Sequence, residues 1–287
     1  MEYDFSKVLI TGAGGMVGSY VDFGIKTDHR SLDVTDLKEV MDICAKYRPE
    51  AILHLAAETD VDRCERDPDY AYKVNSLGTY NLALAAKKYG AKLAYISTAG
   101  VFDGQKGGAY AEEDEPNPQN YYGHSKFLGE LAVKSILKDY LILRVCWMMG
   151  GGPEKDQKFV AKIIRQLLNP EVKKIMAVKD QIGSPTFAKD LVRTAKILIS
   201  ENKRGIFHLG NKGVVSRYDV AKFIMDFFSS KKSIEPVKSS FFGLDAKRTK
   251  NEGLASCADL MRPWDDALKD YLNSEWEKYF YEHSKVA

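Results

Sequence analysis

Tyr122 and Lys126 lie four residues apart in the segment Tyr121-Tyr122-Gly123-His124-Ser125-Lys126. On a helix, positions i and i+4 share a face, so a phenol and an ammonium at this spacing can converge on one small volume. A free tyrosine ionises near pH ~10, and lowering that to ~7 takes about 4 kcal/mol of preference for the phenolate. One ammonium at about 4 Å supplies that much at an effective dielectric of roughly 20, so Lys126 alone could tune Tyr122. A phenol tuned this way can donate a proton to a developing alkoxide. Thr98 closes the apolar run that starts at Leu93 and offers a hydroxyl that could hold a carbonyl oxygen. Without further context, a tyrosine and a lysine at this spacing are an ordinary pair on the surface of an amphipathic helix.

About a hundred residues earlier, Gly12-Ala13-Gly14-Gly15-Met16-Val17-Gly18 follows the strand-like run Val8-Leu9-Ile10-Thr11. Its spacing of Gly12, Gly15 and Gly18 differs from the common G-x-G-x-x-G. A glycine-rich turn between a strand and a short helix still lets backbone amides face a pyrophosphate, and a nicotinamide delivered beside Tyr122 would make this redox chemistry. Asp28 ends the next predicted strand, Ile25-Lys26-Thr27, where a carboxylate accepts ribose hydroxyls and favours NAD. His29 and Arg30 follow and could instead meet a 2′-phosphate, so NAD and NADP both stay open. The same three residues also suit a plain solvated turn.

These groups need a scaffold that brings distant residues to one edge. Apolar runs Val8–Ile10, Ala51–Leu55, Leu93–Ile96 and Leu141–Leu143 alternate with helical patterns near Leu37–Lys46, Asp69–Tyr89 and Tyr122–Leu137. That alternation predicts an α/β fold with a doubly wound parallel sheet of Rossmann type, whose carboxyl edge carries both Thr98 and Tyr122. From about Met148 the chain becomes loop-rich, passing Gly150-Gly151-Gly152-Pro153, a helical stretch near Lys158–Leu168 and Asp180–Thr186. Ile206–Gly210 then reads as one more strand returning to the sheet, before a helix near Arg217–Phe228. The expected division is residues 1–147 plus about 187–212 for the dinucleotide, and a smaller, discontinuous C-terminal substrate domain of about 148–186 plus 213–287.

With 287 residues, 45% of them hydrophobic, the chain can bury such a core. Its 42 Lys and Arg against 40 Asp and Glu give no electrostatic case for nucleic acid or an anionic membrane. No apolar stretch approaches the roughly 20 residues of a membrane span, and the N-terminus lacks a signal-peptide pattern. Cys44, Cys64, Cys146 and Cys257 are scattered, without zinc-site or disulfide-framework spacing, which fits a reducing cytoplasm. No metal site is expected, because the five histidines show no ligand spacing.

Taken in order, these motifs resemble the extended short-chain dehydrogenase/reductase family, most closely its dTDP-4-dehydrorhamnose reductase branch, over nearly the whole chain. Thr11–Gly18 is similar to the family's TGxxGxxG. Leu32-Asp33-Val34-Thr35 resembles its adenine-contacting segment, and His54–Asp62 resembles the branch's AAxTxVD. Asn75 sits like the family's active-site asparagine. Val101-Phe102-Asp103-Gly104, Arg144–Trp147 and Asp180–Thr186 are similar to the reductase branch in particular, the last to its DQxGxPT.

The resemblance implies Thr98, Tyr122 and Lys126 as the catalytic set. It implies cofactor contacts from Gly12, Gly15, Met16, Val17, Gly18, Asp28, His29, Arg30, Asp33, Val34, Leu55, Ala56, Ala57, Thr59, Asn75, Tyr122 and Lys126, with NADP(H) or NAD(H) bound. Val101, Phe102, Trp147 and Arg248 would face the substrate, with Arg144 and Arg248 as candidates for a diphosphate. The implied activity is reduction of the keto group of a nucleotide-activated 4-keto-6-deoxyhexose in glycan precursor synthesis, by a homodimer. A nucleotide-sugar epimerase with tightly held NAD, or a cofactor-binding regulatory subunit without catalysis, are the competing implications. Ala99-Gly100 departs from the branch, which usually has Asp-Tyr after this threonine, and Met148-Met149 replaces an expected aromatic.

Overall fold

The computed structural model describes residues 3–256 and 258–284; Cys257 lies outside the described residues. Six parallel strands form the main sheet: β1 (Val8–Thr11), β2 (Ile25–Lys26), β3 (Ala51–His54), β4 (Lys92–Thr98), β5 (Tyr140–Val145) and β6 (Gly205–His208), in the order β6-β5-β4-β3-β1-β2. β1 and β3 are buried along their whole length, as strands covered on both faces must be. The chain winds outward from β1 in both directions, so the crevice beyond the ends of β1 and β3 is the topological switch point where such sheets bind ligands. Register places Thr11 opposite His54, His54 opposite Tyr95, and Ser97 opposite Arg144.

One sheet face is covered by helices Leu37–Tyr47, Gly78–Tyr89 and Tyr121–Ile136, through Val40, Cys44, Leu82, Ala86 and Val133. The first of these starts where Asp36 accepts hydrogen bonds from the amides of Lys38 and Glu39, and stops where Arg48 turns left-handed at φ 45°. Helix Ala188–Ser200 covers the other face with Leu191, Leu198 and Ile199. A separate core beyond the sheet gathers Ile164 of helix Phe159–Leu168, Ile224 of helix Arg217–Phe227, Phe187 of the short strand Thr186–Phe187, Tyr271 of helix Trp264–Tyr271 and Trp276 of the turn Leu272–Trp276. Among the described residues, no helix is long and apolar enough to cross a membrane.

Two local expectations are corrected. The glycine turn leads into a single 3₁₀ turn, Gly18–Tyr20, rather than a short α-helix. The reason is length: the chain must already reverse at Gly24, with φ 73°, to enter β2 beside β1. The long helix expected over Asp69–Tyr89 is also interrupted, running as Pro68–Ala71, a π-helical turn at Tyr72–Leu77, and Gly78–Tyr89. Its wide turn surrounds Asn75, whose side chain is fully buried and hydrogen-bonded away from the helix.

Candidate active site

The switch point is built by close backbone contact. Gly12 has φ 69°, and a Cβ there would lie 2.6 Å from the amide nitrogen of Ala56, so no other residue lets the end of β1 pack against the exit of β3. Thr11 Oγ1 lies 2.8 Å from His54 Nδ1 and accepts a hydrogen bond from the Ala56 amide, while His54 Nε2 lies 3.1 Å from Thr79 Oγ1. Burial, reinforced by the Lys126 charge, pushes the His54 pKa down to about 3, so the imidazole is a neutral strut. Leu55, Ala56 and Ala57 are half-buried along the rim, and Thr59 is exposed.

The turn above them fits a pyrophosphate. Gly15 is exposed, and a Cβ on Gly18 would strike the Ala13 carbonyl at 2.3 Å, which keeps the loop tight. Met16 and Val17 follow within the same tight turn, at the entry to the 3₁₀ turn. Because only that 3₁₀ turn follows, individual amides rather than an α-helix dipole would meet the anion. Asp28 Oδ1 is already engaged by the Arg30 and Ser31 amides and the Ser31 hydroxyl, and those bonds hold its carboxyl below the usual range. Oδ2 faces Gly14, with exposed His29 and Arg30 next to it. Asp33 caps its own turn through Thr35, and Val34 beside it is buried and packs against Gly78.

Helix Tyr121–Ile136 is placed by Asn120, whose side chain accepts from the Gly123 amide at 2.8 Å. A Cβ on Gly123 would lie 2.1 Å from the Gly100 carbonyl, so the helix rests directly on the turn that follows β4. That contact brings Tyr122 and Thr98 together: the position of a Gly100 Cβ is 3.7 Å from Tyr122 Cδ1 and 3.4 Å from Thr98 Oγ1. Burial pushes the Tyr122 phenol up from its ordinary value, and the Thr98 hydroxyl offsets part of that rise.

Lys126 is 3% exposed, with Nζ 4.2 Å from the centre of the Tyr95 ring. Burial brings its pKa down to about 7, against the pull of Glu130. The expectation that Lys126 alone depresses Tyr122 is therefore corrected for the unliganded protein: an ammonium half discharged near neutrality and resting on Tyr95 does not hold a phenolate. Among the described residues, none accepts a hydrogen bond from Lys126 Nζ, and ribose hydroxyls are the complement such a group calls for. Asn75 is fixed by the Glu58 amide and carbonyl and by Ser125, so it joins the β3 exit to the catalytic helix.

On the substrate side the outcome is mixed. Trp147 takes φ 36°, and a Cβ on Gly183 would lie 2.6 Å from its indole, so the Asp180–Thr186 segment acts as the bed for this ring. Its Nε1 donates to Glu252 at 2.6 Å. Val101 and Phe102 are fully buried and do not face the site. Phe102 stacks on Tyr110 at 4.2 Å and receives Arg144 at 5.0 Å, because the 3₁₀ turn Ala99–Val101 carries the chain inward.

Arg144 is 2% exposed and bidentate to Glu130, at 2.9 and 2.7 Å, so it is a core ion pair rather than a diphosphate ligand. Arg248 is held by Asp62 at 2.8 Å and the Ala246 carbonyl. Ala99 and Gly100 are both buried, and a Cβ on Gly100 would already be in contact with Thr98 and Tyr122. Two residues on this side escaped the sequence reading, Glu252 and Arg217. No spacing marks either; Arg217 is only the residue after the Ser216 helix cap.

The model of the RmlD substrate-binding domain matches residues 6–276. The chain belongs to that family. Among curated relatives, the spore coat polysaccharide biosynthesis protein SpsK of Bacillus subtilis is 32% identical, covering 93% of this chain and 97% of its own. The dTDP-4-dehydrorhamnose reductase of Mycobacterium tuberculosis is 34% identical, over 93% and 92%. Among solved structures, the dTDP-4-dehydrorhamnose reductase of Bacillus anthracis in complex with NADP superposes with a TM-score of 0.87 at 34% identity, over 93% of this chain and 98% of that one. The RmlD family stands within the extended short-chain dehydrogenase/reductases that the motifs resemble.

Proposed function

We propose that this chain reduces the keto group of a nucleotide-activated 4-keto-6-deoxyhexose with NADPH or NADH, within polysaccharide precursor synthesis. One observation carries the reading: Lys126, four residues beyond Tyr122, rests with Nζ 4.2 Å from the Tyr95 ring, Tyr95 stacks on His54 at 5.6 Å, and His54 lies 2.8 Å from Thr11 at the base of the glycine turn. The proton-transfer helix and the cofactor turn are thus one connected site. The relatives named as reductases, and the B. subtilis relative named for polysaccharide biosynthesis, support the substrate class and the setting.

The nicotinamide supplies a hydride when bound. The chain's own part is to place and protonate. Thr98 Oγ–H would hold the substrate's carbonyl oxygen, and the Tyr122 phenol would give that oxygen its proton as the alkoxide forms. A phenol held protonated by burial is in the right state to donate. Lys126 would hold the ribose and, once hydrogen-bonded there, regain its charge beside Tyr122. Gly12–Gly18 and the Leu55–Thr59 rim would carry the rest of the dinucleotide, and residues of about 148–186 with 213–284 would carry the sugar. The test is a panel of nucleotide-linked 4-keto-6-deoxy sugars with NADPH or NADH. Loss of the reduced-nicotinamide absorbance is expected, and interconversion of sugars without net oxidation would replace this reading by an epimerase. A homodimer belongs to the same proposal, and sedimentation would test it.

The Lys126 geometry adds a pH prediction. Its ammonium is protonated below about pH 7 and discharged above it in the free protein. Affinity for the reduced dinucleotide should fall as pH rises through that value, by about tenfold per unit at most. Fluorescence titration between pH 6 and 9 measures it, and Lys126→Met should show a flat, weaker profile.

A further inference from the structure

The guanidinium of Arg217 lies 4.1 Å over the Trp147 ring and 5.1 Å from the Phe159 ring. Its backbone is fixed at the first position of helix Arg217–Phe227 by a capping box between Ser216 and Asp219. Stacking on ring faces sets the guanidinium plane and leaves its N–H groups along the edges, where they can reach only groups lying in that plane. Among the described residues, none accepts a hydrogen bond from Arg217 or forms an ion pair with it. The neighbouring carboxylate, Glu252, is held at 2.6 Å by the Trp147 indole nitrogen instead.

Burial lowers the Arg217 pKa, which Glu252 partly opposes and Arg248 adds to. A half-buried guanidinium seated on two aromatic rings, with no hydrogen-bond or ion-pair partner among the described residues, is placed to take one from outside. Its place defines where that partner comes from. Trp147 follows two residues after Val145, the strand partner of Thr98, and packs against the cluster that holds Ala99, so the guanidinium over its ring lies on the Thr98 side of the site. The other guanidinium nearby, Arg248, is already paired with Asp62.

We propose that Arg217, seated on Trp147, is the residue that grips the diphosphate of the nucleotide-activated substrate. The assignment rests on the reductase reading. A diphosphate offers oxygens in the geometry that a planar fork of N–H donors meets two at a time, and it brings an anion into contact where Glu252, held by the Trp147 indole, does not pair with Arg217. A neutral sugar hydroxyl would leave the guanidinium without an anion in direct contact. Arg217 is thereby a binding and specificity residue, and the sequence position expected to do this, Arg248, is a structural one.

Calorimetric binding of dTDP, UDP, thymidine and uridine separates the possibilities, with keto-sugar turnover followed on the same wild-type preparation. Arg217→Gln should weaken the preferred nucleoside diphosphate by about 10- to 100-fold and leave its nucleoside within about twofold. Arg217→Lys, which keeps charge but not the planar fork, should recover only part of the loss, and Arg248→Gln should cost less than about threefold. Equal diphosphate affinity in wild type and Arg217→Gln, or a loss shared equally by the nucleoside, would overturn the assignment. If Arg217→Gln does not fold, Arg217→Lys with unchanged selectivity for diphosphate over nucleoside overturns it as well. A wild type that turns over keto sugars while Arg217 proves indifferent leaves the reductase reading standing. A wild type without turnover but with Arg217-dependent diphosphate binding removes the reductase reading and keeps this one.

Discussion

Replacing Tyr122 by Phe is expected to lower kcat on the keto sugar by about 10²–10⁴-fold, the usual range for loss of a positioned acid. The substitution removes one oxygen and nothing that packs. The ring Cδ1 still lies beside Gly100 and Thr98, and helix Tyr121–Ile136 still rests on the Gly100 carbonyl through Gly123. Dinucleotide affinity should therefore stay within about twofold, since the proposed ribose contact belongs to Lys126. Stopped-flow reduction at saturating cofactor gives the rate and fluorescence titration gives the affinity. Turnover retained at wild-type rate would remove Tyr122 as the acid. Thr98→Ala should act more mildly, because it takes away a hydrogen bond to the carbonyl oxygen while the phenol still donates.

The second large effect concerns stability. Glu130→Leu would strand the buried Arg144 guanidinium, which holds the carboxylate at 2.9 and 2.7 Å, and would also unpair the Ser97 hydroxyl, now 2.5 Å from Glu130. Breaking one side of a buried pair typically costs about 3–5 kcal/mol, far more than a surface pair. Chemical denaturation should show that loss. The double change Glu130→Leu with Arg144→Met should recover much of it, because the desolvation cost of both charges disappears together. A single variant as stable as wild type would show that the pair is solvated in solution. Since Ser97 precedes Thr98, the activity of the single variant should fall as well.

How far the sequence reaches can be judged on particular residues. Gly12 and Gly18 were legible because backbone proximity leaves glycine no substitute, and Thr98, Tyr122 and Lys126 because strand and helix periods fix which edge they occupy. The parallel, doubly wound character of the sheet followed from alternation alone. What stayed hidden depends on contacts between distant segments. Phe102 and Arg144 have types that suit a ligand, yet β4 and β5 place Ser97 and Arg144 side by side with Glu130 beneath, which turns both side chains into core. Arg217 carries no local signature, because its meaning comes from Trp147, seventy positions away, lying under it. Spacing puts Lys126 one helical turn beyond Tyr122, and only the fold shows that its Nζ rests on the Tyr95 ring.

The π-helical turn at Tyr72–Leu77 means that one continuous rod is in effect two half-rods out of phase. The leading half faces the catalytic helix, with Asn75 on Ser125 and Ser76 on the Ser125 carbonyl. The trailing half faces the neighbouring crossover, with Asn81 on the Val34 carbonyl. Removing one residue would restore ordinary winding and swing one half against the other by about 100°. Either grip could then be kept, never both, so a single-residue deletion here should uncouple the cofactor crevice from the proton donor even if the domain still folds.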